Sequence, residues 1–388
     1  MWNIQKLKIQ KKQILDELKT CTDKSRKEIL EITLGSYISM IDNCGTIKNT
    51  KMYNILDTLS KGKFSLNRPS AKYTGNFEKI ITNTDYYMDI DYLEFLLDIV
   101  KNVINTEPAI TPNEKFNFDF FPSSNVTLLN ISKQFYQNLK DNDIYQMALK
   151  TFNDKENINF SNTYSRLYSN AAGITFCDYI NGKAFCTIKR NNLIIDFQAF
   201  NHEIMHCIDF YFKPKIPNET YYGFHEIPTY AIDYLFIDYL ESIGVKYGEV
   251  QKLRMMKDNY LQSLAKSIRG LIKEKICNKK EIDFIKEYKV QDVMDILDMS
   301  LVRHLLELES GIISYGIYKQ LCIDYNIGLN NLKIIIKNTL PKDKKPDFSS
   351  INLPDQVLLE LSKEIGSYSK DHEIDKGYCR KRQNWNKD

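Results

Sequence analysis

Residues 202–206 read His-Glu-Ile-Met-His, and that spacing restricts what the surrounding chain can become. Positions four apart share one face of an α-helix, so His202 and His206 present their imidazoles to a single ion only if this stretch is helical. Glu203 is then rotated by about 100° from His202, close enough to reach a water at that ion without ligating it. The chain has five histidines, His202, His206, His225, His304 and His372, so a pair at helical spacing does not arise from a histidine-rich background. A metal held by two histidines needs a third protein ligand and one open position. A further histidine six residues on would supply it in one known pattern, but position 212 is Phe. Twenty residues after His206, the run Phe224-His225-Glu226-Ile227-Pro228 opens another helical pattern. A helix hairpin turning through 211–222, which contains Pro214 and Pro217, can bring Glu226 over the first helix. His225 competes for the same role, and adjacent helix positions diverge by about 100°, so one ion does not easily take both. Asp233 could orient a ligand histidine from outside the coordination sphere, or be a solvated helix residue; Asp209 is equally open.

Composition narrows the classes around this motif. The chain has 388 residues and balances 53 Lys and Arg against 50 Asp and Glu, a net charge of +3. Such a balance argues against wholesale nucleic-acid binding, which needs a basic field. With 43% hydrophobic residues a substantial core is available, and disorder is not the expectation. The eight cysteines are dispersed with no CxxC pair, which excludes a zinc ribbon and a thioredoxin-type motif and suits reduced thiols. The first residues are basic but no apolar h-region follows, and no window approaches ~18 apolar residues. A soluble, cytoplasmic protein with no membrane partner is the expectation.

Helical periodicity dominates the chain. Thr22 or Asp23 can cap a helix through Lys27-Glu28-Ile29-Leu30, and 88–104 carries a second strong stripe. Between them 62–76, with Pro69, reads as loop, and 128–139 as a third helix. Two runs rich in β-forming residues, 173–178 and 184–189, flank Asn181-Gly182, the residue pair of a type I′ turn. Helical patterns resume over 196–213, 223–245, 248–276, 292–307 and 311–325. A Pro/Lys segment at 341–347 precedes a last amphipathic stretch and a basic, solvated tail. The expected fold is mainly α with a small antiparallel β-sheet. It divides into an N-terminal helical lobe (1–165), a region carrying the His202–His206 motif helix (166–340) and a C-terminal linker, helix and tail (341–388).

The segment Glu226-Ile227-Pro228-Thr229 followed by Asp233 resembles the Glu-x-Pro-Ser-x3-Glu signature found after HExxH in the M3 family of zinc metallopeptidases, the thimet oligopeptidase and oligoendopeptidase F group. Downstream, Ser314-Tyr315-Gly316-Ile317 resembles the Glu-Tyr-Gly-Ile run of the oligoendopeptidase F-like members. His304 stands eleven residues before Tyr315, as a histidine does there. The resemblance covers roughly 170–325 and implies a gluzincin catalytic region in a two-lobed helical body with a deep cleft. It also implies one zinc ion on His202, His206 and Glu226, and peptide substrates. Glu203 is the expected general base, passing the proton of the attacking water to the leaving amine. By resemblance, Tyr315 donates its phenolic hydrogen to the oxyanion with His304 nearby. The sequence departs from the family at Met205, where glycine is usual, and at Ile312, where a second tyrosine is expected; Tyr318 is the candidate substitute. The hairpin 173–189 either offers an edge to which a peptide can add as a strand, or is purely structural. The alternatives within and beyond this reading are a peptidase dedicated to one target and a zincin-fold binding protein without activity.

Overall fold

A computed structural model describes residues 2–44, 86–104, 118–121, 123–154, 156–161, 172–216, 220–276 and 289–367. The loop expected at 62–76, the basic tail and His372 lie outside the described residues. The fold is mostly helical with one small sheet. In chain order the elements are α1 (Ile4–Thr20), α2 (Lys24–Cys44), α3 (Ile90–Ile104), α4 (Asn125–Asn138), α5 (Asn142–Asn153), β1 (Ile158–Ser161), β2 (Gly173–Asp178) and β3 (Lys183–Lys189). They are followed by α6 (Ile195–Phe212), α7 (Glu226–Ser242), α8 (Tyr247–Ile276), α9 (Val290–Met294), α10 (Met299–Ile323), α11 (Tyr325–Lys337) and α12 (Asp355–Gly366). Among the described residues no helix is long and apolar enough to cross a membrane.

The sheet differs from the expected antiparallel hairpin. It has three strands in the order β1-β3-β2 and is mixed, with β1 parallel and β2 antiparallel to β3. The connection between β2 and β3 is not a two-residue type I′ turn, because Asp178 pairs with Lys183 and leaves a four-residue loop. The Asp178 carboxylate accepts the backbone N–H groups of Ile180 and Asn181, both at 2.9 Å. That side-chain turn replaces the left-handed Asn a type I′ turn needs, and only Gly182 of the pair has positive φ.

The two faces of the sheet belong to two cores. Ala184, Cys186 and Ile188 join the main core, which runs from Tyr92 to Ile365 and includes the inner faces of α6, α7 and α10. Phe176 and Phe185 point the other way into a smaller core with Trp2, Leu34, Tyr37 and Met40 of the α1–α2 hairpin. Trp2 meets Phe176 and Phe185 edge-on at 5.8 and 6.4 Å, and Tyr37 meets Phe185 at 6.3 Å. Such aromatic pairs contribute about 0.5–1.5 kcal/mol each beyond their buried area. Helix α3 packs on α8 and α12, so one core is shared across the 165/166 and 340/341 divisions read from sequence.

The expected helices 292–307 and 311–325 are a short α9 and one continuous α10. The expected gap at 308–310 lies within α10, and its polar residues are satisfied there. The hydroxyls of Ser310 and Ser314 donate to the carbonyls of Leu306 and Ser310 at 2.8 and 2.6 Å. The real start is Asp298, which caps Leu301 N at 2.9 Å.

Glu309, 1% exposed, anchors this helix to its neighbours by accepting the hydroxyls of Tyr92 (2.5 Å) and Tyr221. Burial pushes its carboxyl up to about 7 even though both tyrosines favour the charged form. The folded protein therefore keeps a proton that the unfolded chain releases near 4.5, and stability falls as pH rises between those values. This group alone should make the protein roughly 2–3 kcal/mol less stable at pH 7.5 than at pH 5. Urea unfolding at both pH values should show that component disappear in Glu309→Gln; an unchanged pH difference would contradict it.

Candidate metal centre

Helix α6 begins without a side-chain cap on its first residue. Asp196, buried in the first turn, instead accepts the N–H groups of Asn191 and Asn192 at 2.9 Å and pairs with Arg190 at 3.2 Å. This fixes the helix start, with five residues between the end of β3 and Ile195, and lays its face along the sheet. His202, Glu203 and His206 lie on that face, and Met205 is fully buried in the main core.

Helix α7 packs across α6 and starts at Glu226. Pro228 occupies the first turn, where its missing N–H costs nothing, and a carboxylate at a helix N-terminus is favourably placed against the helix dipole. Thr229, one turn on, donates to the Glu226 carbonyl at 2.8 Å, and its hydroxyl lies 3.2 Å from Oε2. The result is a triangle of donors. Nε2 of His202 and Nε2 of His206 are 3.2 Å apart, and Glu226 Oε2 is 3.4 and 3.5 Å from them. Four ligands placed tetrahedrally at zinc distances of about 2.0–2.1 Å are separated by about 3.3–3.4 Å. The two-nitrogen, one-oxygen set and its edges thus fit zinc with a fourth position open. Among the described residues no other group of three or more His, Cys, Asp or Glu has donor atoms gathered so closely.

Asp233, two turns into α7 and fully buried, lies 3.0 Å from Nδ1 of His202. With that nitrogen carrying the proton, Nε2 is left free to ligate. Lys257 of α8 pairs with the same carboxylate oxygen and lies over the Tyr230 ring, whose centroid is 5.5 Å from that of His202. Burial works against the Asp233 charge, but Lys257 and His202 outweigh it and hold the carboxyl below its usual range. Burial also works against charge on His202, yet Asp233 and Glu226 raise it to about 10. Glu226 is likewise pulled well below the usual carboxylate range against its burial by His206 and His202.

Glu203 is 6% exposed and its carboxyl is raised by burial, opposed by the two histidines. Its Oε2 accepts the Thr175 hydroxyl at 2.7 Å. The approach of β2 to this carboxylate is possible because residue 173 is Gly: a Cβ there would stand 2.6 Å from Glu203 Cγ. Strand β2 is an edge of the sheet. Lys189 N donates to Ala172 O at 2.9 Å, so even-numbered residues of β2 bond to β3 and Gly173, Thr175 and Cys177 turn their backbone groups to the free edge. A cavity of about 500 Å³ runs along that edge, with the His202-Glu203-His206 face and Glu226 on one side and α2 on the other.

The remaining sequence candidates fall elsewhere. His225 lines the cavity but contributes no donor to the triangle. Asp209 also lines it and is paired with Lys215. Tyr315 is not at the metal triangle. Its hydroxyl donates to Glu364 of α12 at 2.7 Å, and its ring meets Tyr234, 5.8 Å away. Tyr234 stands eight residues beyond Glu226, about 12 Å further along α7. The substitute, Tyr318, donates to Asp238 at 2.8 Å, still further from the ligand. His304 Nδ1 bonds the Ser300 carbonyl of its own helix at 2.6 Å, and neither it nor Tyr315 lines the cavity. The long α10 presents Tyr315 and Tyr318 to α7 and α12 instead. Conversely, Thr175, Lys257 and Gly173 carried no motif; only a glycine opening a β-run hinted at the close approach of Gly173.

No protein-family model matches the chain, and no curated protein is similar to it in sequence. The fold does have solved neighbours. A candidate oligoendopeptidase F from Bacillus anthracis str. Ames superposes with a TM-score of 0.50 at 11% identity, covering 93% of this chain and 72% of that one. PZ peptidase A with a bound inhibitor gives 0.45 at 10% identity, covering 89% and 66%. A second candidate oligoendopeptidase F gives 0.42 at 10% identity, covering 76% and 58%. The chain therefore has a mainly helical fold of the oligoendopeptidase F type.

Proposed function

We propose that this chain is a zinc-dependent metalloendopeptidase of the M3 kind that hydrolyses oligopeptides. The observation that carries the reading is the donor triangle of His202, His206 and Glu226 with Glu203 buried beside it. The fold likeness to a candidate oligoendopeptidase F supports it. Zinc in the triangle would supply Lewis acidity toward a carbonyl oxygen and acidify the attacking water. An extended peptide would lie on the free edge of β2, its backbone bonded to Gly173, Thr175 and Cys177. Thr175 holds Glu203 Oε2, leaving Oε1 to take the proton of the attacking water and return it to the leaving nitrogen. Asp233 keeps His202 in the ligating tautomer. Cys21, Cys177, Cys186, Cys207 and Cys322 are free thiols, which suits a cytosolic location.

A second reading has one observation in its favour. With Tyr315 bonded to Glu364, the donor expected at the oxyanion is engaged elsewhere, as suits a zincin-fold binding protein without activity. Measuring bound zinc and then hydrolysis of a mixed quenched-peptide library separates the two. Stoichiometric zinc with cleavage is expected; zinc without cleavage of any peptide would favour the binding protein, and absence of zinc would end both readings.

The outer carboxylate gives an independent check. Asp233→Asn should weaken zinc binding about 10–100-fold, read by competition with a chromophoric chelator. Affinity unchanged in that variant would mean that Asp233 does not orient His202.

A further inference from the structure

The cavity along β2 has a second wall that no metal chemistry requires. Helix α2 contributes Ile32, Gly35, Ser36 and Ser39, a face crossing over the strand edge. The side chains of Ile174 and Phe176 point to the same side, since both pack with the α1–α2 core. A Cβ built on Gly35 meets nothing within 4 Å, so the space above it belongs to the cavity. Ser36 turns its hydroxyl back to the Ile32 carbonyl at 3.5 Å, and Ser39 is buried with its own partner. The charged lining groups Asp209 and Lys215 are paired with each other and lie beyond the C-terminal turn of the His202–His206 segment. The sector under α2 is thus roomy and apolar.

We infer that α2 and the outer face of β2 form a side-chain subsite, centred on Gly35, for bulky apolar residues of an extended peptide. The inference rests on the peptidase reading for the peptide's path. Side chains of an added strand alternate between faces, and cross-strand neighbours share a face. Residues of the peptide level with Thr175 therefore face α6 and the metal triangle. Those level with Ile174 and Phe176 face α2 and meet Ile32 and the space over Gly35. A charged side chain there finds no partner among the described residues of that sector and loses its hydration, whereas leucine or phenylalanine fills it.

The test uses short quenched peptides that differ at one position between Phe, Leu, Ala and Asp. The same peptides, labelled, are bound to the zinc-loaded Glu203→Gln variant and read by fluorescence anisotropy. The wild type should prefer Phe or Leu over Asp at one position by about 10–200-fold in kcat/KM. Gly35→Ala and then Gly35→Leu, changes that favour the helix, should shrink the Phe-to-Ala ratio stepwise, with zinc content unchanged. Anisotropy should show the same order of affinities. Cleavage whose Phe-to-Ala ratio is the same in wild type and Gly35→Leu overturns the subsite and leaves the peptidase reading standing. Gly35-dependent binding with no cleavage by the wild type leaves the subsite and removes the peptidase reading. Peptides that are neither bound nor cut overturn both.

Discussion

In Glu203→Gln, peptide hydrolysis should fall by about 10²–10⁴-fold while zinc remains bound. The substitution is close to isosteric, and the amide oxygen can still accept the Thr175 hydroxyl that now bonds Oε2 at 2.7 Å. What is lost is the ability to take a proton. Glu203 is suited to that task by opposing influences: burial raises its carboxyl, and the adjacent histidines restrain the rise. The Gly173 approach leaves no room for the carboxylate to swing toward β2, so the variant should keep its side chain in place. Zinc content by metal analysis and kcat on a cleaved peptide are the two readouts. Activity surviving at the wild-type level would remove Glu203 from the reaction, whatever the metal does.

The second large effect concerns the metal itself. His206→Ala or Glu226→Ala removes one corner of a triangle whose edges are 3.2, 3.4 and 3.5 Å. Each should weaken zinc by more than the roughly 100-fold upper end expected for losing an outer-sphere partner. His225→Ala serves as the contrast, because His225 Nε2 is 3.9 Å from Glu226 Oε1 and its donors are outside the triangle. Its zinc affinity should stay within a few-fold of wild type. Competition titrations with a chelator measure all three. A large loss in His225→Ala with affinity kept in Glu226→Ala would exchange the roles assigned to these neighbours.

The local part of this site was legible because its rule is local. Helical spacing alone put His202 and His206 on one face and Glu203 beside them, and a proline-bearing spacer followed by a carboxylate pointed to Glu226. The apolar stripes of 88–104 and 248–276 likewise reappear as α3 and α8, since periodic burial is written in consecutive residues. The expected gap between helices at 308–310 is absent from the structure. A buried glutamate bonded to two tyrosines from distant segments, and serines bonded back to their own helix, made a polar stretch compatible with the interior. The third strand was missed for a related reason: β1 is four residues long, and its pairing with β3 is parallel, so no short turn announces it.

By itself the sequence determined a helix bearing two histidines and a carboxylate, a second helix opening with Glu226, and a hairpin before them. Only the tertiary structure decided who supports that centre. Lys257 reaches Asp233 from 24 residues away, Thr175 reaches Glu203 from 28, and α2 closes the cavity from the N-terminal hairpin. It also set the place of Tyr315, whose spacing from His304 suited the site but whose side chain meets α7 and α12 about two turns from Glu226. Spacing along one helix fixes angles within that helix; where the face then points depends on how ridges of neighbouring helices pack, and that is set by residues far apart in the chain.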